Sequence, residues 1–413
     1  MLKAPARWGA FALLTTGMLL AQPPGAGGQT AGGPPSPERS HPEPQTPAEA
    51  AYYAKLAEYR LARAAYEKQA DAYWDRITAT RTARRKRRTQ GREIGLSDYV
   101  LEQPPVYRGP PEPVAPPTIV RPPRPPVQPT PIPVIADFLE QARAHFGFVP
   151  DAPTDADFKR AYAAAAQQAG IEKSQAVRIF GFEAGGNGRY DVQAGLEAPG
   201  SKRRAISTAL GYNQLLTTNT ISLLAEHGER FVETLREQAA GQGAQRRAHL
   251  EGKIATLKQM MRFARSLPKK WSEQEDLAKT PKGWALHALN LDIDVGPLLQ
   301  AQKLADSIDF ASRKGYTARL TAAELEMLNL MGDGSGYDVI SMPEAMRSKV
   351  PTANMFQRGG YERNSVVRKF NTVSALLSAT DAKMDNQTDL PGAREMEAAF
   401  DAVGARAASV PVR

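Results

Sequence analysis

Two stretches of helical periodicity, separated by a run without any, organise this chain. In the first, Tyr52, Leu56, Tyr59, Ala62, Tyr66, Ala70, Tyr73 and Ile77 recur at steps of three and four, so they share one face of a helix. This predicts an amphipathic helix over 47–92 whose aromatic seam needs a partner. Two partners fit: loose packing on the chain itself or a second copy, or specific recognition of another protein. The second stretch, 135–413, keeps the helical period almost throughout. Its clearest helices are predicted at 155–169, with Thr154 as N-cap and Gly170 as stop, and at 244–266, 295–313, 322–331, 366–384 and 394–403. Strand signals are scarce, the best being 190–193, so the fold class is mainly α with at most a small hairpin. No repeat of fixed period is visible.

The run between the two is dense in proline from 104 to 133. Such a segment lacks amide donors and stays extended at about 3.1 Å per residue, which makes 93–134 a stiff linker. Residues 22–46 are Gly, Pro, Ser and Gln in a polar background and cannot bury enough apolar surface to offset chain entropy, which predicts disorder. Ahead of them, Lys3 and Arg7 precede the apolar run 8–20, and Ala21 is a small residue suited to cleavage. That run is shorter than the ~20 residues a membrane span requires, so 1–21 is predicted to be a secretory signal and the protein periplasmic.

Charge and composition then narrow the partners. Lys and Arg number 53 against 44 Asp and Glu, giving a formal net charge of +9, and such a surface favours polyanions. Export turns that preference from nucleic acid toward the cell envelope. The run Arg84, Arg85, Lys86, Arg87, Arg88 is a solvated block ending the first helix or a contact to anionic lipid or wall polymer. With no cysteine, disulfides, thiolate ligands and thiol nucleophiles are excluded. The five histidines, His41, His145, His227, His249 and His287, show no metal spacing, and each is expected to be a surface or satisfied structural residue. No metal or cofactor is predicted.

The candidate chemistry lies at 175–190. Ala176, Ile179 and Phe180 stand at i, i+3 and i+4 of a helix, which puts Glu183 at i+7 on the same apolar stripe. An inward-facing carboxyl is partly desolvated, its charged form is disfavoured, and it keeps its proton as a general acid must. The glycine-rich stretch Gly185, Gly186, Asn187, Gly188 ends the helix and allows close approach to the backbone. A buried glutamate capping its own helix is the plainer alternative.

Glu183 with its glycines, then Gly211-Tyr212-Asn213-Gln214, then Asn329 with Gly332, resemble in order the three motifs of the lysozyme-like lytic transglycosylases, and 291–296 resembles the helix start usually found between the last two. The resemblance covers 158–338. It departs from the pattern at Ala184, where serine is usual, at Tyr212 and Asn213, at Leu328, where a tyrosine is usual, and in the spacing of Gly332. It implies a lysozyme-like helical catalytic domain over 135–413, preceded by the long helix and the linker. The implied activity cleaves the bond between N-acetylmuramic acid and N-acetylglucosamine in peptidoglycan, with Glu183 as acid and then base. Asn187, Tyr190, Gly211, Tyr212, Asn213, Gln214, Asn329 and Tyr337 would line the groove, and 332–338 would be a turn at its border. A wall-binding protein without efficient chemistry is the second expectation. A water-using hydrolase, the third, requires Asp191 or Glu197 as a second carboxylate across from Glu183.

Overall fold

The computed structural model describes residues 46–119, 131–196 and 204–409, so the predicted signal, nearly all of 22–46, residues 120–130 of the linker, and Glu197 lie outside the described residues. The architecture is mainly helical. In chain order the helices are α1 (Pro47–Thr89), α2 (Ile135–Phe146), α3 (Asp155–Gln168), α4 (Lys173–Ala184), α5 (Thr217–Ala240), α6 (Ala244–Ala264), α7 (Trp271–Ala278) and α8 (Pro281–His287). They continue with α9 (Gly296–Arg313), α10 (Ala322–Met331), α11 (Asp333–Ile340), α12 (Glu344–Arg347), α13 (Arg358–Arg363), α14 (Ser365–Lys369), α15 (Val373–Thr388) and α16 (Pro391–Ser409). Among the described residues the expected hairpin is reduced to isolated bridges, Gln193 with Leu196 and Leu210, and Leu210 with Leu215.

The chain divides into two compact units. One contains α1, the stretch after it and 345–373. Helix α1 starts at a capping box: Thr46 Oγ1 accepts from the Glu49 amide, and Glu49 accepts from the Thr46 amide. Its aromatic seam is covered from within its own unit. Trp74 meets Tyr361 with ring centroids 5.5 Å apart, and Tyr107 fits edge-on against Tyr59 and Tyr66. The described part of the linker is therefore not a free spacer. Prolines prevent helix there, but Tyr107 packs on the seam, and Tyr99 and Val100 are buried within the same unit. Residues 345–373, expected within the second helical stretch, likewise belong to this unit.

The basic run is also divided. Arg84 is fully buried, donating to the carbonyls of Asp98 and Asn354 at 3.0 and 3.1 Å, with its guanidinium 4.3 Å from the centre of the Tyr99 ring. Only Arg85, Lys86, Arg87 and Arg88 reach solvent, the last two partly. A helix that is packed on one face cannot present five consecutive residues to one surface.

The other unit holds α2 to α11 and α15 to α16 around one continuous core. Helix α3 begins at Thr154, whose hydroxyl accepts from the Asp157 amide, and buries Phe158, Tyr162 and Ala166. Helices α5 and α6 pack antiparallel through Leu224, Phe231, Leu257 and Met261, and Gly228 lets the Met261 side chain lie against the helix backbone. The expected helix 366–384 is two helices, α14 and α15. They part at 370–372, where Thr372 bridges to Pro351 within the first unit.

Candidate active site

Helix α4 carries Glu183 on its last turn. As the stripe predicts, Ala176, Ile179 and Phe180 are buried, and they hold that face of the helix inward. Gly185 then takes φ 67° and Gly186 φ 72°, the left-handed backbone that ends a helix at little cost only in glycine. Glu183 itself is partly exposed. Its Oε1 accepts a hydrogen bond at 3.2 Å from Asn329 Nδ2 of α10, 146 residues away in sequence.

Two further groups complete the cluster. Glu326 lies one turn before Asn329 on α10, at 0% exposure, and neither of its carboxyl oxygens meets a donor in hydrogen-bonding geometry. Lys383 of α15 donates from Nζ to the Phe182 carbonyl at 3.0 Å, with the ammonium 3.9 Å from the centre of the Phe182 ring. Burial raises the Glu183 pKa, partly offset by Glu326, Lys383 and Asn329. Burial raises that of Glu326 further, and the neighbouring Glu183 adds to the rise. Burial lowers Lys383 to about 8. The arrangement is thus a partly exposed carboxyl, a sealed carboxyl behind it and a cation beside both, which suits proton donation and recovery.

The remaining sequence candidates fall in three places. Gly211, Tyr212, Asn213 and Gln214 form one tight turn. Gly211 has φ 82°, and a Cβ there would stand 2.5 Å from Gln300 Nε2. Asn213 is buried, its amide and side chain bound to Gln300 of α9 at 2.8 Å each. Tyr212 is buried among Phe158, Tyr162 and Phe180, its hydroxyl donating to Asp155 at 2.9 Å. Neither side chain presents a face to solvent. Gln214, half-buried with φ 45°, donates back to Gly211 O and Val192 O. The turn's polar groups are thus engaged in holding its own shape.

Tyr190 stacks on Phe158 at 4.9 Å and borders a groove of about 310 Å³ with Asp191, Arg143, Leu139 and Val149; Glu183 is not among the residues that wall it. Asn187 caps the start of α16 by accepting from the Gly392 amide. Tyr337 is nearly buried and donates to Lys314 O at 2.6 Å. The segment 332–338 is not a turn. After Gly332 at φ 73° the chain re-enters helix as α11, because Gly336 has no side chain to strike the α10 backbone at Leu328. Asp191 pairs with Arg189 at 3.2 Å.

Of the sequence candidates, then, the described contacts join Asn329 to Glu183. Glu326 and Lys383 were not among them. The sequence signal for Glu326 is weak: Leu325, Met327 and Leu328 flank it, which marks the helix as largely apolar but does not fix the direction this acid faces.

Of the histidines, His287 is sealed in the core, with Nε2 2.7 Å from Thr208 O and Nδ1 2.9 Å from Thr220 Oγ1. Asp151, Asp292 and Asp294 stand close enough to hold a cation, but Lys253 Nζ contacts all three, at 2.9, 2.8 and 2.5 Å, and serves as their counter-ion. Compared with protein-family models, with curated proteins and with solved structures, the chain matches none.

Proposed function

We propose that this chain is an exported peptidoglycan lytic transglycosylase with a lysozyme-like catalytic body, in which Glu183 is the sole acid and base. One observation carries the reading: Glu183 is partly exposed and inclined to hold its proton, while the carboxyl nearest to it, Glu326, is sealed from any substrate. A glycosidase that uses water needs two accessible carboxyls flanking the bond, about 5 to 10 Å apart. Among the described residues the carboxyl that acts on Glu183 is closed to substrate, which suits the intramolecular reaction. Glu183 gives its proton to the glycosidic oxygen as the C1–O bond of the muramoyl unit breaks. The carboxylate then takes the proton of the C6 hydroxyl as O6 bonds to C1, so the proton returns to Glu183, an anhydro sugar forms and no water is consumed.

Asn329 orients the acid through its hydrogen bond. The groove beside Tyr190 and Asp191 has the volume of a small ligand site, but Glu183 does not wall it, so it takes no part in the bond cleavage. The exposed basic residues Arg85 and Lys86 would hold the protein to anionic wall polymer or lipid. A binding-only role has one observation in its favour: Tyr212 and Asn213, which the resemblance would put on the substrate, are closed within the core.

The test is digestion of purified sacculi by the full chain, with products identified by mass. Anhydromuramoyl ends are expected from the native protein, with the rate reduced roughly 10²- to 10⁴-fold in Glu183→Gln. Reducing ends would show hydrolysis, and undigested sacculi that retain the protein would establish the binding role.

A further inference from the structure

Glu326 poses a problem that the reaction just described does not solve. A carboxylate needs donors, and a buried one without them is strongly disfavoured. Neither oxygen of Glu326 meets a donor in full hydrogen-bonding geometry, and the amide of Asn329 and the Lys383 ammonium, which act on it, are only partial substitutes. Asn329, one turn along the same helix, spends its Nδ2 on Glu183, and Lys383 spends a proton on the Phe182 carbonyl. The remaining polar group beside Glu326 is Glu183 itself, since Asn329, one turn from Glu326 on α10, reaches Glu183 Oε1. Two carboxylates only accept hydrogen bonds and would repel. With one proton between them they form a strong charge-assisted bond.

We propose that Glu326 is a positioning residue that remains a neutral carboxylic acid and donates its O–H to Glu183, steadying the Glu183 carboxylate between giving up its proton and recovering it. The inference rests on Glu183 being the acid and base. The titratable groups that act on Glu183 are Glu326 from α10, through a hydrogen bond, and Lys383 from α15, through its charge. Because Glu326 is neutral, its contribution is a directed hydrogen bond and not a charge. Lys383, whose ammonium persists up to about pH 8, supplies the compensating charge.

The bond helps most when Glu183 is ionised, so it brings the two protonation states closer in energy. That is what a group acting first as acid and then as base requires. No chemistry passes through Glu326: it forms and breaks no covalent bond, and its proton stays on it at the end of the cycle.

Two variants separate this from a packing role. Glu326→Gln keeps a donor in nearly the same volume, and Glu326→Leu removes the donor while keeping the core apolar. Loss of the bond to an ionised group is expected to reduce kcat on sacculi roughly tenfold to a hundredfold in Glu326→Leu, with KM little changed and the alkaline limb of the pH profile, where Glu183 loses its proton, moved to higher pH. Glu326→Gln should recover most of that activity. Thermal unfolding of Glu326→Leu should be no lower than native, since an apolar replacement removes a buried polar group.

A second measurement is independent of activity. In protein labelled with ¹³C at the glutamate carboxyls, the Glu326 resonance, identified by its absence from Glu326→Gln, should hold the protonated shift at pH 7, and the Glu183 midpoint should rise in Glu326→Leu. A Glu326 resonance at the ionised position at pH 7, or equal activity in all three proteins, would overturn the proposal. If the native protein leaves sacculi intact while the resonances behave as expected, the transglycosylase reading fails and the carboxyl pair stands.

Discussion

At the scale of single residues, burial sets protonation, and this reaches beyond the candidate site. His287 is sealed against Phe138, and burial holds its pKa down to about 4, the Thr208 carbonyl offsetting only part of the effect. Its folded pKa lies below the ordinary 6.5, so between those values the unfolded chain binds a proton that the folded chain refuses. Stability present above pH 6.5 is therefore lost as the pH falls toward 4, by up to about 3 kcal/mol for a shift of this size. Urea denaturation at pH 7.5, 6 and 4.5 is expected to show this decline, and His287→Gln should flatten it even if that variant is less stable overall. The same reasoning explains what the sequence disclosed of the site. Glu183 was legible because three apolar residues on its stripe fix the direction it faces. Glu326 was not, since an acid within a helix ordinarily turns to solvent, and α10 is instead buried from Ala322 to Leu328 with no exposed side to turn to. Tyr212 illustrates the opposite difficulty: position in a motif says nothing of whether an aromatic ring faces a ligand or, as here, three other rings.

At the scale of elements, helix ends were readable where a side chain determines them and obscure where tertiary contacts do. Thr154 and Thr321 cap α3 and α10 through their own hydroxyls, so both starts follow from local chemistry. The break between α14 and α15 depends on a bridge to Pro351, far away in sequence, and has no local signal. The start of α9 lies between these cases. Asp292 accepts from the amides of Asp294 and Val295 in the turn that leads into the helix, yet its carboxylate is fully buried and is held there by Lys253 of α6. Burial alone would raise the pKa of both Asp151 and Asp292; for Asp151 the contacts of Lys253 and His249 outweigh it and hold the pKa at about 2. One lysine thus ties the loop before α3, the middle of α6 and the approach to α9. Lys253→Met keeps the aliphatic stem but leaves buried carboxylates without a counter-ion, and breaking a buried pair this way typically costs about 3 to 5 kcal/mol. The midpoint of chemical denaturation at pH 7 should fall accordingly, and the loss should shrink at low pH as the aspartates protonate. An unchanged midpoint would mean that the three aspartates do not depend on this ammonium.

At the scale of the whole molecule, mainly helical architecture was evident from periodicity, whereas the division into two units was not. The unit that contains α1 is assembled from 46–119 and 345–373, and what joins them carries no period. Asn354 accepts from the Val100 amide at 3.0 Å and donates to the Val100 carbonyl at 2.7 Å, 254 residues apart, while its own carbonyl receives Arg84. A single asparagine exchanging two bonds with a distant backbone unit behaves like an added rung of β-structure, and nothing in its neighbours Ala353 and Met355 advertises it. Because 345–373 forms only short helices, too short to be stable in isolation, its order must come from α1 and the stretch that follows it. A chain beginning at Pro131 is therefore expected to lose hydrogen-exchange protection at 350–367. Amides in α5 and α6, which belong to the other unit's core, should retain theirs. Asn354→Ala in the full chain should act in the same direction but more weakly, since it leaves the Val100 amide and carbonyl unpaired at a cost of about 1 to 3 kcal/mol each without removing Trp74 from Tyr361. If amides at 350–367 exchanged no faster in the shortened chain, the helix α1 could not be what orders them, and the aromatic seam would have to be explained by a partner outside this chain.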